Sequence, residues 1–211
     1  MKIKQLIKTK FAILGTFLLI FTCFQGLKAE NWEVKSPDKK IKISVSLLKN
    51  TDNKSSLQYQ VNRKSCGKTI TVIEPSPLGI IRNDQQFSNN LSFVSTSTIK
   101  TIDENYEMKV GRQLQIRNNA NELTLSFKND KGSTIQLVLR AYNDGVAFKY
   151  VFPEKSEKKY TINQELTGFK VSTNGKVWMQ PYDVPSEWTP GYEQYYKNGI
   201  PIGTNSPNKE G

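Results

Sequence analysis

Two alternating runs joined by a turn decide the fold: Ile135-Gln136-Leu137-Val138-Leu139-Arg140-Ala141-Tyr142-Asn143-Asp144-Gly145-Val146-Ala147-Phe148-Lys149-Tyr150. Every second residue on either side of the turn is apolar, which is the period of a half-buried β-strand. The turn residues Asn143, Asp144 and Gly145 tolerate positive φ and are typical of tight hairpins. The stretch therefore predicts an antiparallel hairpin. Its turn either only joins the strands, the reading we favour, or presents polar groups to a neighbouring domain.

The same alternation recurs through most of the chain, in residues 41–47, 57–61 and 123–127. Turn-forming residues separate these runs, as in Asn174-Gly175. No window of a dozen residues carries an apolar stripe with the 3.6-residue period of a helix. Many short strands separated by turns predict an all-β sandwich rather than a parallel α/β sheet.

Residues 1–29 have the features of a secretion signal. Lysines at positions 2, 4, 8 and 10 precede an uncharged apolar run over residues 11–24, and Ala29 offers a small residue before a cut at Glu30. We therefore expect export and a mature domain over residues 30–211. A retained N-terminal anchor is the alternative. Lipid anchoring through Cys23 is disfavoured because residues 20–22 are bulky.

Charge and composition exclude several chemistries. The full chain carries a net charge of +11, and residues 1–29 hold five lysines and no acids, which leaves +6 on the mature chain. Lysines are spread along the sequence among acids, so a nucleic-acid partner is not predicted. The absence of histidine excludes Ser-His and Cys-His catalysis and histidine-bound zinc. Cys66 would be the one remaining cysteine, with no internal disulfide, and is interpreted as a loop residue.

A segment rich in aromatic rings and acids runs from Trp178 to Tyr196. It places Asp183, Glu187 and Glu193 among tryptophans and tyrosines, and its three prolines rule out a long helix. Aromatic faces stack on the C–H faces of sugars, and carboxylates bind hydroxyls or a hard cation. The segment is therefore either a sugar site or an aromatic loop that closes a β-core. The Gly-, Pro- and Asn-rich residues 198–211 are interpreted as loop.

Five segments, in this order along the chain, resemble the N-terminal domain of glycoside hydrolase family 97, whose members are exported, mostly bacterial α-glucosidases and α-galactosidases. They are an opening strand over residues 34–41, Ser76-Pro77-Leu78-Gly79, a loop over residues 105–111, the hairpin over residues 140–148, and Tyr192-Glu193-Gln194-Tyr195-Tyr196. Each motif is weak alone, but their order and spacing make the resemblance fairly specific. It spans essentially the whole mature chain.

The resemblance implies a β-super-sandwich of the galactose-mutarotase-like type in the bacterial periplasm. In the family this domain precedes a (β/α)₈ barrel that carries the catalytic acid and base. A barrel of that kind needs about 250 residues, more than this chain contains. We therefore expect no hydrolysis by the chain alone, and residues 198–211 to be a linker towards a barrel. Whether the chain is a short protein, a fragment or part of a split gene is left open.

The resemblance also implies a calcium ligand and a sugar pocket. In the family one glutamate of the sandwich binds a calcium ion whose other carboxylate ligands come from the barrel. Glu193 matches that position best, and Glu187 is the alternative. Calcium takes six to eight oxygen ligands, so the ion is expected only when the barrel completes the site. Trp188, Tyr192 and Tyr195 would border the pocket.

The implied partners are an α-glucoside or α-galactoside and a catalytic barrel, on the same polypeptide or a separate one. No nucleic acid is expected, and no membrane span after signal cleavage. Two other functions remain open: a stand-alone carbohydrate-binding module that needs no calcium, and an exported interaction protein that uses the aromatic segment as a docking face.

Overall fold

Alternating sequence becomes β-strand throughout the described part of the chain. A computed structural model describes residues 30–49, 54–180, 187 and 195–205. No helix in these ranges has the length and apolar character needed to cross a membrane. The strands are β1 Glu30–Lys35, β2 Ile41–Lys49, β3 Ser55–Ser65, β4 Lys68–Leu78, β5 Ile80–Arg82, β6 Gln86–Phe87, β7 Ser92–Thr96, β8 Lys100–Glu107, β9 Gln115–Lys128, β10 Thr134–Tyr142, β11 Val146–Val151, β12 Ile162–Glu165, β13 Lys176–Met179 and β14 Lys197–Pro201.

Two antiparallel sheets form the body of the domain. The first has the order β1-β2-β3-β4, and the second has the order β11-β10-β9-β7, with β8 paired to the first half of the long strand β9. A small sheet, β12-β5-β6, and a two-stranded ribbon, β13-β14, complete the described strands. Each strand of the first sheet pairs with the next one in sequence, which is the simplest way to build an antiparallel layer.

The core lies between the inner faces of the two main sheets. Burial along β10 alternates without interruption, and β2 contacts both β10 and β11. The most deeply buried apolar side chains come from both sheets: Val34, Ile43, Val45, Leu125, Phe127, Leu137 and Leu139. Trp32 stacks on Phe93 with ring centroids 4.5 Å apart. The predicted all-β sandwich is confirmed, since each alternating run became a strand with its apolar face inward.

The opening segment is two strands rather than the single strand predicted over residues 34–41. Ser36 O accepts a hydrogen bond from Lys39 N at 2.8 Å, which closes a tight turn between β1 and β2. Pro37 suits the second position of such a turn because its φ is fixed. Asp38 Oδ1 accepts hydrogen bonds from Ser36 Oγ at 2.6 Å and Lys40 N at 3.0 Å, which lowers the pKa of Asp38.

The β10–β11 hairpin is present, but its turn works differently from the prediction. None of Asn143, Asp144 and Gly145 has positive φ. Asn143 Oδ1 instead accepts a hydrogen bond from Asp38 N at 2.9 Å. In parallel, Asn121 Nδ2 donates to Lys35 O at 2.8 Å. Both bonds join the second sheet to the β1–β2 turn, so the hairpin tip fastens the two layers together.

Strand β4 contains two prolines and still continues to Leu78. It lies at the edge of its sheet, where a missing N–H is tolerated. Its register against β3 shifts between Tyr59 and Val61 and again between Val61 and Asn62. The edge strand therefore continues irregularly through Ser76-Pro77-Leu78 and is followed directly by β5.

Two other predictions concern the chain ends. Residues 1–29, with Cys23, lie outside the described residues, so export remains a prediction. The loop predicted from residue 198 is wrong for its first part, because Lys197–Pro201 form β14, with Lys176 opposite Pro201 and Val177 opposite Ile200. Gly199 has φ 67°, in the left-handed region that favours glycine. The Gly-, Pro- and Asn-rich composition of residues 198–211 resembles a loop and gave no sign of the strand.

The turn between β3 and β4 places Cys66 and Gly67 consecutively in the left-handed region, at φ 49° and 74°. Such turns favour Asn-Gly. We expect Cys66→Asn to raise the free energy of unfolding by about 0.5–1 kcal/mol, because asparagine adopts positive φ more readily. Urea unfolding under reducing conditions measures this. Cys66→Val should lower the value, and equal stability of the two variants would contradict the turn assignment.

Candidate functional site

A segment after β12 leads the chain towards the aromatic region. Residues 166–171, here called the strap, run along the outer edge of β4. Leu166 N donates to Gly79 O at 2.9 Å and Gly168 N donates to Pro77 O at 3.0 Å. Farther along, Lys170 N donates to Ser76 Oγ at 2.9 Å. The 76–79 motif therefore holds the strap, and it supplies these acceptors even though Pro77 has no N–H to donate.

Two tyrosine hydroxyls fix the strap from the core side. Tyr59 OH donates to Gly168 O at 2.8 Å. Tyr150 OH accepts from Gly79 N at 3.1 Å and shares a hydrogen bond with Thr167 Oγ1 at 2.9 Å. Burial raises the pKa of both tyrosines above the usual value. The shift is away from neutral pH, where tyrosine hydroxyls are already protonated, so both hydroxyls can donate.

Two glycines allow the strap and its neighbours to approach closely. A Cβ at Gly79 would lie 3.0 Å from Ser88 Cβ, so the chain passes close to Ser88 here. A Cβ at Gly168 would lie 2.8 Å from Pro77 Cδ. A proline ring cannot rotate away from such a contact, so this position requires glycine.

The ribbon of β13 and β14 determines where the aromatic segment begins and ends. Met179, at the end of β13, pairs with Lys197, at the start of β14. The chain therefore leaves the ribbon and returns to it at the same end. Large side chains are exposed at this end: Trp178 is 63% exposed, Tyr195 is 94% exposed, and Met179 and Tyr196 are also exposed.

The predicted site residues fall mostly outside the described ranges. Trp188, Tyr192 and Glu193 lie outside them, so their roles remain predictions. Tyr195 is described and stands at the open end of the ribbon. Glu187, the alternative calcium ligand, is exposed in a turn. Among the described residues, no three His, Cys, Asp or Glu side chains lie close enough together to hold a metal ion.

A buried arginine cluster was not predicted from the sequence. The Arg82 side chain is only 4% exposed and donates to Asp84 from Nε at 2.6 Å and from Nη2 at 2.8 Å. Its Nη1 donates to Glu154. The guanidinium carbon lies 4.0 Å from the ring centroid of Tyr160 and 4.8 Å from that of Phe152. All of these residues except Phe152 line an open cleft of about 510 Å³.

The Arg82 cluster is built for structure rather than for proton transfer. Hydrogen bonds to Asp84 raise the pKa of Arg82, and the same bonds lower the pKa of Asp84. A glycosidase acid needs a carboxyl whose pKa is raised, beside a second carboxylate. Here the Arg82 guanidinium hydrogen-bonds both carboxylates, Asp84 and Glu154. The two carboxylates in the cleft are therefore arranged as an ion-pair cluster and not as a glycosidase acid with its partner.

Only the Arg82–Asp84 pair of this cluster could have been inferred from the sequence. Arg82 and Asp84 are two residues apart after a short apolar strand, which could have suggested an ion pair. Glu154 and Tyr160 lie more than seventy residues away, and no spacing links them to Arg82.

The described strands define an all-β sandwich with large exposed side chains at one end of the β13–β14 ribbon. The sequence signature described as Glycosyl-hydrolase 97 N-terminal matches residues 34–210. The chain belongs to this family, which confirms the resemblance read from the motifs.

Two relatives are named as α-galactosidases. The chain is 30% identical over 179 residues to "Probable retaining alpha-galactosidase" of Streptomyces bingchenggensis, covering 83% of this chain and 27% of that protein. It is 29% identical over 157 residues to "Retaining alpha-galactosidase" of Bacteroides thetaiotaomicron, covering 73% of this chain and 21% of that protein. The chain thus spans about a quarter of the length of these relatives.

Solved structures agree with the family. A β-arabinopyranosidase matches with a TM-score of 0.70 and 30% identity, over 83% of this chain and 27% of that one. A glycoside hydrolase family 97 enzyme from Pseudoalteromonas sp. strain K8, in complex with acarbose, matches with a TM-score of 0.59 and 25% identity, over 71% of this chain and 22% of that one.

The strap can be tested through Gly168. We expect Gly168→Ala to lower the free energy of unfolding by about 1–3 kcal/mol, because the added methyl overlaps the Pro77 ring. Limited proteolysis read by mass spectrometry should show faster cleavage after residue 166. Gly145→Ala is the control, since a Cβ there meets nothing within 4 Å and should change stability by less than about 0.5 kcal/mol. Equal effects at both positions would contradict the packing.

The Arg82 cluster can be tested against an exposed pair of the same chemistry. Arg82→Lys should cost about 2–4 kcal/mol, because lysine cannot bind two carboxylates while stacking on the rings. Arg117 binds Asp103 at 2.7 and 2.8 Å but is 63% exposed, so Arg117→Lys should leave stability almost unchanged. Urea unfolding of both variants measures the difference, and similar losses would show that burial is not the cause.

The same cluster predicts a pH dependence. The pKa of Asp84 is lowered in the folded state, so its contribution to stability is full above the unfolded pKa of about 4 and is lost as the pH falls through the folded value. Asp84→Asn should therefore flatten the loss of stability on acidification below about pH 4. Urea midpoints from pH 2 to pH 7 measure this, and parallel curves for the variant and native chains would contradict it.

Proposed function

We propose that this chain is the carbohydrate-facing N-terminal domain of an exported, calcium-dependent α-glycosidase. In this proposal it supplies one wall of the sugar pocket and one calcium ligand, and a (β/α)₈ barrel, on the same polypeptide or a separate chain, supplies the catalytic acid and base. The observation that carries the proposal is the paired end of β13 and β14, which anchors both ends of the segment containing Trp188, Tyr192 and Glu193.

The exposed side chains at this end of the ribbon support a site shared with a second domain. Trp178 and Tyr195 are large, amphipathic and exposed together, which is typical of surfaces that bind a sugar or another protein. The strap, which precedes the ribbon in the sequence, is itself fixed by hydrogen bonds to β4 and to the two tyrosine hydroxyls, so the chain approaches the ribbon from a fixed point. In the assembled enzyme Trp188, Tyr192 and Tyr195 stack against the C–H faces of the substrate.

The ligand preference of calcium matches the proposed ligand, Glu193. Calcium binds hard oxygen ligands, and Glu193 would provide a carboxylate. Bound calcium would supply positive charge beside the substrate, while Glu193 would orient the ion from the sandwich side. One carboxylate binds calcium weakly, so the site depends on ligands from the barrel.

The names of the relatives decide which substrates to test first. Two of them are retaining α-galactosidases by name, and a matching structure contains acarbose. We propose α-galactosides as the first class to test and α-glucosides as the second.

The proposal is tested by joining this domain to the barrel of a family member. Glu193→Gln should weaken calcium binding at least tenfold in calorimetry and lower activity on aryl α-galactosides and α-glucosides in parallel, because a carboxylate ligand is replaced by a neutral amide. Glu187→Gln is the matched control and should leave both unchanged. If the control reproduces the loss, the ligand assignment moves to Glu187. If neither change has an effect, the calcium role is wrong.

Calorimetric titration of the chain alone with sugars tests the alternative of a stand-alone carbohydrate-binding module. No heat with maltose or galactosides, with or without calcium, is the expected result for half of a shared site. Clear binding without calcium would instead support a stand-alone carbohydrate-binding module. Its exposed Tyr195 and Trp178 would then act as an open platform.

A further inference from the structure

Basic side chains from two short segments of the sequence, residues 35–42 and 63–64, converge on one cleft. The β1–β2 turn and the ends of β2, β3 and β4 enclose about 240 Å³. Its lining includes six cationic side chains: Lys35, Lys39, Lys40, Lys42, Arg63 and Lys64. The sequence did not show that these two segments meet. The antiparallel pairing of β2 with β3 brings them together, with Lys42 beside Asn62 and Ile41 beside Arg63.

Nearby carboxylates neutralise only part of this charge. Glu33 pairs with both Lys35 at 3.0 Å and Lys42 at 2.9 Å. Asp38 pairs with Lys40 at 3.5 Å. Within the described ranges, Lys39, Arg63 and Lys64 have no acidic partner. Two carboxylates therefore face six cations, and the cleft keeps an excess of about four positive charges.

The backbone under these side chains is held in place. Lys64 N donates to Lys40 O at 2.7 Å, and Ile41 N donates to Ser36 Oγ at 3.0 Å. The second sheet adds the bonds from Asp38 N to Asn143 and from Asn121 to Lys35 O. A fixed frame reduces the entropy lost when a ligand binds, which favours a preformed site.

One backbone feature is hard to explain by stability. Lys39 has φ 62°, in the left-handed region that favours glycine. A lysine there costs stability relative to glycine and adds an unpaired charge to the cleft. A ligand that uses this charge would give the lysine a function.

We propose that this cleft binds the anionic groups of an acidic polysaccharide, as a site separate from the β13–β14 ribbon. Four excess positive charges suit sulfate, phosphate or carboxylate groups, and Asn62 and Thr69 in the lining can hydrogen-bond the neighbouring hydroxyls. Pockets that enclose whole small ligands measure about 300–1,000 Å³, so this cleft fits one charged unit of a longer chain.

The lining favours a polysaccharide over two other polyanions. It has no large apolar side chain, whereas surfaces that bind anionic membranes combine basic with apolar residues. It also has no aromatic ring, whereas proteins that bind single-stranded nucleic acid stack bases on aromatic side chains.

The test compares two sets of substitutions with the same change of charge. The cleft set is Lys39→Gly, Arg63→Gln and Lys64→Gln, and the control set is Lys155→Gln, Lys158→Gln and Lys159→Gln on an exposed loop. Binding of the full chain to heparin, polygalacturonate and neutral dextran is measured by calorimetry at two salt concentrations. Heparin tests sulfate groups and polygalacturonate tests carboxylates.

We expect salt-sensitive binding to at least one acidic polysaccharide and none to dextran. The cleft set should weaken binding at least tenfold, and the control set by less than twofold. Lys39→Gly alone should weaken binding two- to threefold while leaving the urea midpoint unchanged or higher, which excludes unfolding as the cause.

Three results would overturn the proposal. One is equal weakening by both sets, which would indicate general attraction to a basic protein. Another is no binding to either acidic polysaccharide. The last is tighter binding to phosphatidylglycerol vesicles than to both polysaccharides, which would assign the cleft to a membrane surface.

Discussion

The contact between the inner faces of the two main sheets governs the rest of the molecule, because it fixes the register of β10. Leu137 lies opposite Leu125 on one side and Tyr150 on the other. A slip of one residue would turn every buried leucine of this strand towards solvent. With the register fixed, the hairpin tip reaches Asp38 and the Tyr150 hydroxyl reaches Gly79. The basic cleft and the strap therefore owe their positions to the same apolar contact.

The strap and the hairpin tip use one physical device in two places. In each, a polar side chain from the core layers binds backbone atoms of a connecting segment: Tyr59 at Gly168 O and Asn143 at Asp38 N. A neutral hydrogen bond of this kind contributes about 1 kcal/mol, little beside the hydrophobic core. Its main effect is geometric. It turns a loop, whose conformation would otherwise vary, into a fixed support for side chains that face outward.

Patterns that repeat within a few residues predicted the structure well, and contacts between distant residues did not. Alternation located β2, β3, β9, β10 and β11, and motif order indicated the family. Strand β14 was missed because Gly199 and Pro201 have the composition of a loop and pair only with β13. The Arg82 cluster and the proximity of Lys39 to Lys64 depend on how the strands pair, and composition does not reveal this. The site residues Trp188, Tyr192 and Glu193 were inferred from family resemblance, and the fold supplies the ribbon on which they depend.

The pairing of Met179 with Lys197 has a consequence for how such a domain diversifies. The connection between Met179 and Lys197 starts and ends at the same point of the ribbon. Its length therefore affects the stability of the domain only through the entropy of closing the connection, which grows slowly with length. Residues can be gained, lost or exchanged between these two anchors while the sandwich keeps its register. Changes in the connection between Met179 and Lys197 thus cost the sandwich little stability, because the paired strands close the ribbon on either side of it.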